Sequence, residues 1–137
     1  MNKHDELSGT LVLVHPQLLT DPAEKKNQIG IIASAEIEND NVIVSFGNEG
    51  QALFSADALL VLKKPNSIHF DTMQDHLKMN AQNFKDLLRV GMLANSNLTK
   101  DHRQAIEISR DNPAVLAYSM ASLEEELGLK QDYSVSR

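Results

Sequence analysis

Leu59-Leu60-Val61-Leu62-Lys63-Lys64-Pro65-Asn66 divides this chain in two. Upstream of Lys64-Pro65, apolar residues alternate in short runs, at 11–14, 29–33, 41–46, 51–55 and 59–63. Downstream they recur every three or four residues, as in Phe84, Leu87, Leu88, Gly91 and Met92. A period of 2 sets side chains alternately on the two faces of a strand, whereas a period near 3.6 sets them along one stripe of a helix. A chain that changes from the first period to the second and does not change back is a β unit followed by an α unit. The expected fold class is therefore α+β, with a β domain over 1–64 and a helical region over 65–137.

The five expected strands are 10–15, 28–36, 41–46, 51–55 and 59–63. Pro16 ends the first, because proline has no N–H to give a ladder. Residues 16–27 read as a polar loop with a turn at Asp21-Pro22. Glu38-Asn39-Asp40-Asn41 is a turn, and so is Gly47-Asn48-Glu49-Gly50, where glycine supplies positive φ. Ser55 is suited to cap a single helical turn. Val42, Val44 and Phe46 share one face. Ile29 and Ile31 face one way, and Ile32 and Ile43 the other. Apolar residues on both faces imply that something covers the outside of this unit, and the helical half of the same chain is the expected cover.

A long first loop, a three-strand meander, a one-turn helix and a last strand resemble the SH3-like small barrel. Gln28-Ile29-Gly30-Ile31-Ile32, followed by Asp40-Asn41-Val42-Ile43-Val44-Ser45-Phe46, is similar to the KOW type. There a glycine lies on the second strand and a β-branched strand follows a polar turn. The resemblance covers about residues 9–64 and implies a five-stranded SH3-like β-barrel. KOW-type barrels commonly bind RNA or the transcription and translation machinery, so it also implies RNA or ribosome association, here through Lys25, Lys26, Lys63 and Lys64. The loop 16–27 departs from the usual basic pattern, since Asp21 and Glu24 balance Lys25 and Lys26. Peptide-binding SH3 domains dock proline-rich ligands on an aromatic groove. With aromatics at 4% and no Trp, neither that groove nor a methyl-lysine cage carries over.

In the second half, Pro65-Asn66 breaks the last strand and Asp71 caps a helix beginning at Thr72, with Met73 and Leu77 on one face. Asn80 starts a new helix, or the first runs unbroken to Asn95. Thr99 caps 100–110, with Ala105 and Ile106 inward. Asn112-Pro113 joins a cap to proline at the first helical position. The last helix then carries Leu116, Met120, Leu123 and Leu127 on one face and stops at Gly128. Glu124-Glu125-Glu126 would lie near its C-terminus, where negative charge opposes the dipole. Residues 131–137 read as a frayed tail. The expected second half is a C-terminal bundle of three or four α-helices packed on the barrel.

Composition narrows function mainly by exclusion. A net charge of −6 argues against a strong phosphate-binding surface. The absence of Cys removes disulfides, thiolate metal sites and Cys nucleophiles. The polar Met1-Asn2-Lys3-His4-Asp5-Glu6 is not a signal peptide, and no apolar run reaches a bilayer-spanning length. A soluble cytoplasmic protein without a membrane role is expected. His69 and His76 could share a helical face with Asp71 or Asp75, but no metal motif is present, and no metal or cofactor is expected. Asp40, Glu49 and Asp57 lie at turns, where carboxylates are routine. The serines lack a nucleophile setting. Met73, Met79, Met92 and Met120 either fill core or mark an adaptable binding surface.

The candidate binding residues are Phe46, Asn48 and Phe54, as a stacking surface at the 47–50 hairpin, with Lys25 and Lys26. The expected function is a non-catalytic protein-interaction or regulatory adaptor, partnered by another protein or by self-association. The alternatives are the RNA- or ribosome-associated module and a small-molecule site in a cleft between barrel and helices.

Overall fold

The structure is a computed structural model that describes residues 7–18 and 24–127. The polar segment 1–6, the Asp21-Pro22 turn, Gly128 and the tail 131–137 lie outside the described residues. The architecture is α+β. Strands β1 (Leu11–Val14), β2 (Ile29–Glu36), β3 (Asn41–Ser45), β4 (Gln51–Phe54) and β5 (Leu59–Leu62) fall where the period-2 runs place them. A sixth, β6 (Met120–Ser122), comes from the stretch that the sequence assigns to the last helix. The strand order is β4-β3-β2-β1-β5-β6. In place of a closed five-stranded barrel, this is an open sheet edged by β4 and β6. Five α-helices follow β5, where three or four were expected: α1 (Pro65–Gln74), α2 (Ala81–Ala94), α3 (Thr99–Arg110), α4 (Pro113–Ser119) and α5 (Leu123–Glu126).

The chain forms two compact units. One holds the chain up to Val61 and again from Ser122, and the other holds Leu62–Ala121. The sequence reading has one crossing, after Lys64, whereas the chain crosses twice.

In the first unit, Val12, Val14, Ile32, Val42, Val44, Phe54 and Leu59 form a core that Leu123 of α5 joins. Burial of each such side chain contributes about 1.5–3 kcal/mol. Val42 and Val44 face this core, with Phe46 packed against it. Ile32 pairs with Val44, so it faces the core too, and it does not share a face with Ile43. The register decides this, because Ile32 lies opposite Val44 and the next residue, Ile43, points the other way; beyond Ile32 a bulge leaves Ala33 extra on β2. On the opposite face, Leu13 pairs with both Ile29 and Leu60 and all three are buried, while Ile31 and Leu53 are exposed. Asp40 takes the left-handed conformation the turn requires, and its carboxylate accepts the Ala56 N–H at 2.8 Å. That bond ties the β2–β3 turn to the one-turn helix Ala56–Ala58. Ser55 stands at the N-cap position of this turn, but its hydroxyl donates to Asp57 instead of capping a backbone N–H.

In the second unit, Ile68, Leu87, Val90, Ala105 and Val115 form the core. Three of the helices start by two means, proline at the first position or an asparagine cap. Pro65 occupies the first position of α1, Asn80 caps α2 by accepting the Asn83 N–H at 2.7 Å, and Asn112 caps α4 by accepting the Ala114 N–H at 3.2 Å. α1 thus begins at Pro65 rather than Thr72, and it buries Ile68 and Thr72 where Met73 and Leu77 were expected. α1 and α2 are separate helices, divided by the 3-10 turn His76–Lys78. α4 ends at Ser119, whose carbonyl accepts the Lys63 N–H at 2.9 Å. Past β6, Ser122 caps α5 by accepting the Glu125 N–H at 3.0 Å. The three glutamates therefore stand in a first turn, where the dipole favours them, and not at the end of a long helix. Two buried hydroxyls, Ser109 and Ser119, meet at 2.7 Å between α3 and α4.

Candidate functional site

The candidates at the 47–50 hairpin lie in the first unit. Phe46 and Phe54 meet edge to face, with centroids 6.1 Å apart. Phe54 is buried in the core, and Phe46 is half-buried. The Lys25 ammonium stands 5.2 Å from the centre of the Phe46 ring and 2.9 Å from the Glu49 carboxylate. The fold thus assembles Lys25, Phe46 and Glu49. Asn48 sits exposed on the Gly47–Glu49 turn, and Lys26 is exposed beside Lys25. The turn carboxylates all have structural partners: Asp40 holds Ala56, Asp57 holds Ser55 and Glu49 holds Lys25.

A different site, which the sequence reading did not assign, lies in the second unit along α1 and α2. The Phe84–Met92 stripe does not all point inward. Leu87 and Val90 are buried, whereas Leu88 is 36% and Met92 75% exposed. Phe70, Met73 and Leu77 are 63%, 43% and 87% exposed. The two exposed methionines contrast with Met120, which is buried, and Met79, which packs on the core. Between the helices runs an apolar groove of about 470 Å³, walled by Pro65 and His69 on α1 and by Leu88, Gly91 and Met92 on α2. Thr72 lies on its floor and donates its hydroxyl to the Ile68 carbonyl at 2.7 Å, so the groove gains no unsatisfied polar group there.

Compared with protein-family models, curated proteins and solved structures, the chain matches none. Function must therefore be read from the groove's own chemistry. Gly91 lies on the groove wall, and a Cβ added there would fit, meeting only Ile68 Cγ2, at 3.8 Å. At the other end of α1, Tyr118 donates to the Asp75 carboxylate at 2.8 Å. That bond, then burial and the Asp75 and Asp71 charges, raise the phenol above its ordinary pKa. The His76 ring bonds the Met73 carbonyl at 2.8 Å and lies 6.2 Å from the Phe84 ring. Among the described residues, no three His, Asp or Glu side chains converge as a metal site, and no helix is long and apolar enough to cross a membrane.

The groove was missed because Pro65 reads as a strand breaker. The available signal was proline at a first helical position, the same one that marks Pro113. Lys64 in front of it has no capping oxygen, so the pair lacks half of the usual start signature.

Proposed function

We propose that this protein is a non-catalytic interaction module that docks a protein partner on the α1–α2 face. One observation carries the reading: five of its exposed large apolar side chains, Phe70, Met73, Leu77, Leu88 and Met92, fall within these two helices and the turn joining them. Exposed apolar groups gathered in this way mark interaction surfaces more often than isolated ones do. Methionine at two of the five suits a surface that adapts to its ligand. The SH3-like layout of the first unit is part of the same proposal. It is supported by the neighbour order β4-β3-β2-β1-β5 and by the single helical turn before β5.

The test uses the full chain with Leu77→Glu or Met92→Glu, both at highly exposed positions. Each variant should melt with the wild type and lose a protein that photo-crosslinks to a reactive residue placed at position 95, on the groove wall. A partner captured equally well by both variants would refute docking on this face.

A further inference from the structure

The charge around the groove specifies the kind of partner. Between Lys64 and Asn95, the ionisable residues exposed overall are all basic or histidine, Lys64, His69, His76, Lys78, Lys85 and Arg89, although 38% of the Asp71 side chain also meets solvent. The carboxylates of the same stretch are less exposed, and each is engaged. Asp71 lies 3.8 Å from Lys63, Asp75 accepts from Tyr118 at 2.8 Å, and Asp86 accepts from Gln82 at 2.9 Å. Helical spacing also turns two of them away. Asp71 is two residues from His69 and Asp86 two from Leu88, which is about 200° around a helix. Lys85 and Arg89 are seven and three residues before Met92, so they stand on the Met92 side of α2, along the rim. Among the described residues neither has an ion-pair partner. The Leu62–Ala121 unit has eight Lys and Arg against six Asp and Glu, in a chain whose net charge is −6.

We infer that the occupant of the groove is an acidic amphipathic helix of a partner protein, an inference that rests on the docking reading above. An apolar trough along α2 from Leu87 to Asn95 is on the order of 12 Å long, about two helical turns, and accepts a helix presenting apolar side chains at i, i+3, i+4 and i+7. Acidic side chains flanking that stripe meet Lys85 and Arg89, which steer the encounter and set its polarity.

The test measures fluorescence anisotropy of three synthetic peptides of about sixteen residues against the full chain. The first has leucine at helical spacing with glutamate elsewhere, the second has lysine in place of glutamate, and the third scrambles the first. The acidic amphipathic peptide should bind, with the other two at least about tenfold weaker. The double variant Lys85→Glu/Arg89→Glu should weaken it at least about tenfold and improve the lysine peptide. Circular dichroism checks that the variant folds, and both positions are exposed. Equal binding of both charged peptides, lost in Leu88→Glu, would overturn the acidic partner and leave docking intact. No peptide binding, with concentration-dependent self-association that Leu88→Glu removes, would make a second copy the occupant and overturn the inference. Capture by phosphatidylserine vesicles without peptide binding would assign the rim to a membrane surface and overturn both. Failure of the wild type to bind any probe would also overturn the inference.

Discussion

Gly30 and Gly91 should respond to the same substitution with opposite signs. A Cβ on Gly30 would lie 2.9 Å from the Phe46 ring and 2.9 Å from the Ser45 carbonyl oxygen, and closer still to Val44 Cγ1. Val44 is fully buried, and the Ser45 carbonyl belongs to β3, so the neighbours cannot give way cheaply. Overpacking of this kind costs about 1–3 kcal/mol, and contact with backbone puts Gly30→Ala near the top of that range. Replacing a strand glycine returns about 0.5–1 kcal/mol of chain entropy, so the net loss is about 2 kcal/mol. Gly91 sits inside α2, where alanine is better than glycine by about 0.8–1.0 kcal/mol, and its new methyl makes an ordinary contact with Ile68. In urea, with a slope of about 1–3 kcal/mol per molar, Gly30→Ala should lower the midpoint by about 1 M and Gly91→Ala raise it by about 0.5 M. A Gly30→Ala midpoint equal to the wild type, or a fall for Gly91→Ala, would refute the packing argument.

Three further outcomes are expected. Ser109 and Ser119 have two hydroxyl protons for three close contacts, to each other and to the Ala105 and Val115 carbonyls, so each single change to alanine should cost about 1 kcal/mol. The double variant should cost less than the sum, and strict additivity in denaturant melts would argue against the coupling. Asn80→Ala should cost about 1 kcal/mol, read as a fall in thermal midpoint, because it frees the Asn83 N–H. Tyr118 has a raised folded pKa, so its bond to Asp75 contributes stability that is complete below the ordinary tyrosine value of 10.0 and is lost as pH rises through the raised value. Spectrophotometric titration of Tyr133→Phe, which leaves Tyr118 as the one tyrosine, should show ionisation above that of free tyrosine, and a midpoint at or below it contradicts the bond.

The strands were legible because each period-2 run is short and bounded by Pro, Gly or Asp turns. Asn80 and Asn112 were legible as helix starts for an equally local reason, since a side-chain oxygen caps the next turn. Where the sequence reading failed, longer-range contacts decided. Met120 continues an apolar helical stripe, yet its segment becomes β6, because a sheet edge offers hydrogen bonds that helix propensity does not register. The pairing of Ile32 with Val44 instead of Ile43 is a matter of register, which alternation alone does not reveal. Phe46 and Lys25 were picked out singly, but their meeting over one ring depends on the loop that brings Lys25 back. The groove was hidden because an apolar stripe looks the same whether its outer residues, Leu88 and Met92, meet core or solvent.

The return of the chain at Ser122 bears on the order of folding. Leu123 belongs to the core of the sheet unit, yet it follows Leu62–Ala121 in sequence. A ribosome releases residues in order, so every residue of the helical unit is synthesised before the last member of that core. Domains ordinarily fold N-terminal first during synthesis. Here the sheet unit starts first but gains Leu123 only after the helical unit has been made, so its five early strands precede by about sixty residues the four-residue helix that joins their core.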